Sequence, residues 1–138
     1  MTVKDCKLLK LPKVASEAGS ISFVQSITHV PFNIQRIYYL YDLPEQAARG
    51  AHGHKKLQQL IIAVAGAFDF IVDDGYEKKT FRLNRPDEGL YVTPMIWRDL
   101  CNFEPNSVCL VLASELYDED DYYRNYDNFL KDARGEKT

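Results

Sequence analysis

Short apolar and aromatic runs, each closed by a turn signal, recur along most of this 138-residue chain and constrain its fold more than any single motif does. Residues 7–11 are strand-like and stop at Pro12, residues 20–25 alternate apolar with polar, and residues 34–41 (IQRIYYLY) are aromatic and β-branched. A loop over 43–48 contains Pro44. The apolar run 57–64 then reaches Gly66, a turn or bulge signal. Residues 67–72 and 77–83 flank Asp73-Asp74-Gly75, a hairpin turn because Asp and Gly tolerate positive φ. Residues 89–93 and 96–103 flank Pro94, and 108–113 is a buried strand. About ten short strands at this spacing predict an all-β sandwich or barrel. From Asp118 the pattern changes: Tyr122, Tyr126, Phe129, Leu130 and Ala133 follow helical spacing, which predicts one amphipathic helix lying on the barrel. Asp118 to Asp121 would form its acidic, solvated start.

The length and a 46% hydrophobic content support one domain over 1–138 with a real core. A net charge of −3 argues against a nucleic-acid surface. No apolar stretch approaches about 18 residues, so no transmembrane helix is expected, and the opening MTVKDCKLLKL does not read as a secretion signal. Cys6, Cys101 and Cys109 show no CxxC spacing and fit reduced thiols in a cytoplasm, with Cys109 in the core.

The chemistry concentrates in Arg49-Gly-Ala-His-Gly-His-Lys-Lys-Leu, just before the 57–64 strand. Residues i and i+2 of a strand share a face, so His52 and His54 can point into one cavity. Such a pair suits either acid/base chemistry or a metal. A His-x-His strand on a β-barrel is similar to the metal-binding cupins, but Gln58 and Gln59 stand where their carboxylate would be. The remaining histidine, His29, lies upstream, and Arg98 follows Trp97. A first-row metal wants three or four ligands, so the metal-free reading is preferred. Arg49 and Arg98 are the first candidates for pyrophosphate or sugar contacts, because a guanidinium fork fits phosphate oxygens, and Arg36 and Lys55 stand behind them. Tyr38 can donate to a sugar oxygen, Tyr39 should face the other way, and Trp97 can pack near a sugar or base.

Taken in order, RIYYLYD (36–42), RGAHGHKKLQQL (49–60), DDG (73–75), GLYVTPMIWRDL (89–100) and VLASELYDEDDYYRNYDNF (111–129) resemble the dTDP-4-keto-6-deoxy-glucose 3,4-ketoisomerases of the WxcM-like cupin group. The resemblance implies a cupin jelly-roll barrel, a dimer with exchanged N-terminal strands, no cofactor and no metal. It implies a dTDP-linked 4-keto-6-deoxy sugar whose carbonyl moves from C4 to C3, feeding 3-amino-3,6-dideoxy sugars of bacterial surface glycans. His52 would then be the C3/C4 base and His54 its relay. The chain departs from relatives at Arg98, often His, and at Ala18, often Arg or Tyr; both bear on the C4 configuration of the product. A metal-free dTDP-sugar epimerase, a nucleotide-sugar binding module without catalysis and a metal-dependent cupin oxygenase are the competing readings.

Overall fold

The computed structural model describes residues 2–135. In chain order the strands are β1 (Lys7–Lys10), β2 (Lys13–Ser16), β3 (Gly19–Ser22), β4 (Arg36–Leu40), β5 (Arg49–His54), β6 (Gln59–Ala65), β7 (Phe68–Asp73), β8 (Lys78–Leu83), β9 (Glu88–Val92), β10 (Trp97–Cys101), β11 (Val108–Ala113) and β12 (Tyr122–Tyr123). The helix α1 (Tyr126–Ala133) follows. Two five-stranded sheets, ordered β1-β9-β6-β11-β4 and β12-β5-β10-β7-β8, face each other as a jelly-roll barrel, the cupin architecture expected from the sequence. β2 and β3 form a separate hairpin.

Three apolar clusters explain why some strands alternate and others do not. The barrel interior gathers Ile61, Ala63, Phe70, Val72, Leu90, Ile96 and Val111. The outer face of the first sheet is covered by Leu11, Val30 and Phe32, which meet Leu60, Ile62 and Leu112. β6 is therefore buried on both faces and reads as a continuous apolar run. The outer face of the second sheet carries Trp97 and Tyr123 under Phe129 of α1. An eight-residue helix is unstable alone. This one is held by the fully buried Phe129 and by Asn125, whose side chain accepts the Asn128 N–H as N-cap.

The C-terminal segment differs from the single helix expected there. Residues Glu119–Asp121 form a 3₁₀ turn, Tyr122 and Tyr123 join β5 as an edge strand, and only then does α1 begin. The open edge of β5 supplies hydrogen-bond partners for Tyr122 and Tyr123, and Asn125 caps α1 two residues later, so the helical spacing starts at Tyr126. β2 is a further strand, without an apolar run or alternation to mark it in the sequence. Among the described residues no helix is long and apolar enough to cross a membrane.

Candidate active site

β5 is a strand in its own right, in the sheet opposite β6, and not the lead-in to the 57–64 run. Its alternation sorts the neighbourhood. His52 sits across from Arg98 of β10, and His54 across from Tyr122 of β12. Directly opposed residues share a face, so these four side chains turn inward. Gly53 lies across from Trp97 and Tyr123, so these turn outward towards α1. A Cβ on Gly53 would stand 3.2 Å from Cδ1 of Phe129, so the glycine between the histidines is what lets the helix seat. The β5–β10 register slips between Arg98 and Asp99, where Ala51 is the extra residue. Gly50 and Ala51 have φ of 88° and 56° there. Such a bulge re-aims the following side chain, here His52. A Cβ on Gly50 would meet the Arg98 carbonyl oxygen at 2.9 Å.

The barrel mouth opens into a cavity of about 440 Å³. Arg36, Tyr38 and Gln59 line it from the first sheet, Arg49, His52 and Arg98 from the second, and Tyr122 and Arg124 from the C-terminal segment. Its floor is apolar, with Ile61, Phe70, Leu100, Cys109 and Val111. Arg98 is almost fully buried. It donates through Nη1 to Oε1 of Gln59 and through Nη2 to the Ile96 carbonyl at 3.0 Å. The Gln59 amide in turn donates to the Tyr38 hydroxyl at 2.9 Å. This chain bridges the two sheets and leaves the Tyr38 proton free to donate into the cavity.

Three buried nitrogens have no partner among the described residues: Nε of Arg36, Nε of Arg98 and Nε2 of His54. A buried polar atom without a partner is costly, and here all three belong to the site. Burial, then the Arg98 charge, lowers the His52 pKa to about 4. The same causes in the same order, with His52 third, lower His54 to about 2. Both imidazoles are therefore neutral at pH 7 and able to accept protons. Burial raises the Tyr38 pKa, keeping its hydroxyl protonated. Burial also pushes the Cys109 thiol up to about 12, which leaves it inert in the floor.

The sequence candidates divide cleanly. His52, Tyr38, Arg36, Arg49 and Arg98 share the cavity. Tyr38 reaches it from β4 across the barrel, not from a strand beside the histidines. His54 stands one layer behind the wall, its ring centroid 4.9 Å from that of His52. Trp97 lies outside, edge-on to Tyr126 and packed against Phe129. Lys55 is outside as well, with Nζ 5.4 Å from the ring centroid of Tyr123. Period-two alternation sends both residues to the face away from His52 and His54. Ala18 sits in the exposed turn of the β2–β3 hairpin.

Sequence reasoning missed four residues. Gln59 counted only as a missing carboxylate. Tyr122 was placed on a helix. Arg124, paired with Glu119 and stacked 4.0 Å from the Tyr122 ring centroid, was not singled out. Asp121, from the run expected to be solvated, is buried with Oδ2 3.2 Å from Nδ1 of His54. Only the pairing of β12 with β5 could have revealed the last. No group of three or more His, Cys, Asp or Glu side chains is placed to hold a metal ion among the described residues.

Comparisons with known proteins identify the family. The family model FdtA, described as WxcM-like, C-terminal, matches residues 4–134. The TDP-4-oxo-6-deoxy-alpha-D-glucose-3,4-oxoisomerase of Aneurinibacillus thermoaerophilus is 39% identical over 125 residues, 91% of this chain and 90% of that protein. Among solved structures, a histidine-to-asparagine variant of the 3,4-ketoisomerase QdtA from Thermoanaerobacterium thermosaccharolyticum, in complex with TDP-4-keto-6-deoxyglucose, superposes with a TM-score of 0.92. It shares 37% identity over 94% of either chain. The TDP-quinovose 3,4-ketoisomerase WlaRB of Campylobacter jejuni gives 0.89 at 43% identity, covering 93% of this chain and 98% of that one. A barrel whose cavity gathers His52, Tyr38 and four arginines, matched over nearly its whole length by these proteins, belongs to the FdtA (WxcM-like) family.

Proposed function

We infer that this protein is a TDP-sugar 3,4-ketoisomerase that converts TDP-4-keto-6-deoxyglucose into the 3-keto-6-deoxyhexose. The observation that carries the reading is a neutral imidazole, His52, on the wall of a cavity otherwise rimmed by guanidinium groups. The C3 proton of a 4-keto sugar is acidic because it lies α to the carbonyl. His52 takes it, the C4 oxygen gains a proton, and a C3=C4 enediol forms. Delivery of a proton to C4, with loss of the O3 proton, leaves a carbonyl at C3. The atoms balance without an external oxidant. Arg98 and the Tyr38 hydroxyl are the donors for the oxygen that becomes negative.

A base with a pKa near 4 is weak at neutral pH. The Arg98 field is the second cause of that low value, after burial. A bound diphosphate would offset that field and raise the imidazole towards the working pH. Arg49, Arg36 and Arg124 line the same cavity and are suited to hold such a group. His54, behind His52, serves as the relay. Trp97 and Lys55, on the outer face, have structural duties in this reading.

The working unit is one domain acting as a cytoplasmic homodimer with exchanged N-terminal strands, and its product feeds amino-sugar synthesis for surface glycans. What supports the exchange is apolar surface without a cover: Val14 and Ile21 of the β2–β3 hairpin are 58% and 65% exposed, and Ile37 and Tyr39 of the edge strand β4 are exposed as well. Large exposed apolar patches mark interfaces. Light scattering tests it, with a monomer as the refuting mass. The activity is tested by incubating the protein with TDP-4-keto-6-deoxyglucose and reading the product by NMR. A carbonyl moved to C3 supports the ketoisomerase. An inverted carbon with the ketone still at C4 makes it an epimerase, and unchanged sugar leaves a binding module.

A further inference from the structure

Asp121 closes a line of side chains that begins at the cavity wall. His52 faces the cavity, His54 lies behind it, and Oδ2 of Asp121 lies 3.2 Å from Nδ1 of His54. The other carboxylate oxygen, Oδ1, accepts the backbone N–H of Lys56 at 2.7 Å. On its far side Asp121 borders a second groove of about 390 Å³, with Lys56, Glu115, Tyr117 and Asp118 along its walls. His54 and Asp121 thus stand between the cavity wall and an outer, polar groove.

A carboxylate at Nδ1 accepts a proton from it, so the neutral ring must carry its hydrogen there and its lone pair on Nε2. That Nε2 is buried and unpartnered among the described residues. We propose that Asp121 is a positioning residue for the isomerisation: it locks His54 in the Nδ1–H tautomer, presents Nε2 as a bare acceptor behind His52, and opens a proton route to the outer groove. When Nε2 takes the proton that His52 removed, the carboxylate stabilises the resulting imidazolium and Nδ1 can lose its proton outward. This role rests on the ketoisomerase reading.

The geometry defines a sharp test. In Asp121→Asn the Lys56 N–H still needs an acceptor, so the amide oxygen stays at Oδ1 and the NH₂ group takes the place of Oδ2. It then donates to Nδ1, and the hydrogen of His54 moves to Nε2. The variant keeps the shape of the side chain but converts the acceptor into a donor. The ¹⁵N shifts of the His54 ring are expected to report Nδ1–H in the wild type and Nε2–H in the variant. Turnover of TDP-4-keto-6-deoxyglucose is expected to fall about 100-fold or more in kcat, with KM within about threefold, as tautomer inversion does elsewhere. Asp121→Glu, which keeps the anion, should recover part of the loss. An Nε2–H tautomer in the wild type overturns the proposal, and so does a variant kcat within about threefold of it. The tautomer is read without substrate. A wild type that does not turn the sugar over would refute the ketoisomerase reading while the ring shifts still judge Asp121.

Discussion

Acid should unfold this protein through its two neutral histidines, and the effect can be sized. In the folded chain His52 and His54 are held near 4 and 2, by burial first and the Arg98 charge second, against an ordinary value of 6.5. Above pH 6.5 both are neutral whether the chain is folded or not, so they contribute no pH dependence. Below it the unfolded chain binds two protons that the folded chain refuses, and stability falls with pH until the folded values are reached. From pH 7.5 to 5.5 each imidazole has moved one unit below its unfolded pKa, which costs about 1.4 kcal/mol apiece or about 3 kcal/mol together. The assay is urea unfolding at both pH values and one fixed protein concentration, comparing the wild type with His52→Asn/His54→Asn. The wild type should lose about 3 kcal/mol more than the double variant, with no change in m value. Equal losses, within about 0.5 kcal/mol, would mean that the rings titrate normally in the folded state and that the neutral-base reading is wrong.

Other consequences follow from the same geometry. His52→Asn should lower kcat by about 100-fold or more while TDP affinity, measured by calorimetry, stays within severalfold; lost affinity would make His52 a structural residue. Arg49→Ala should weaken TDP binding about tenfold through loss of a charge-assisted contact without changing the melting temperature, since Arg49 is exposed; unchanged affinity removes it from the site. Gly53→Ala should cost about 1–3 kcal/mol of stability by pressing on Phe129 and the Ile96 carbonyl; a neutral substitution would mean that α1 is not seated on β5.

Much of the barrel was legible because its strands are bounded by real turn chemistry. Asp74 accepts the N–H groups of Tyr76 and Glu77, and the hairpin falls where Asp-Asp-Gly predicted it. β6 was recognisable as buried because both its faces are covered. Besides β5, two strands were not legible. β2 is four residues with every side chain exposed, and β12 is two residues whose pairing depends on β5, far away in sequence. That long-range pairing is also what hid Asp121, since an acidic run carries no local sign that one of its members will be buried beside a histidine. Helical spacing misassigned Tyr122 for the same reason. Trp97 and Lys55 have side chains suited to a sugar ring and a phosphate. Strand alternation around Gly53 puts them on the opposite face, and the assignment of faces needed the β5–β10 register, bulge included.

The most direct measurement is turnover of TDP-4-keto-6-deoxyglucose in D₂O, followed by NMR of the sugar. A base-and-enediol route through His52, with a relay open to solvent, predicts a 3-keto product carrying deuterium at C4. A 3-keto product that keeps protium quantitatively at C4 would contradict the relay open to solvent, leaving a shielded base that returns the same proton or a direct hydride shift between the carbons. Recovery of unchanged, unlabelled sugar would contradict the isomerase itself.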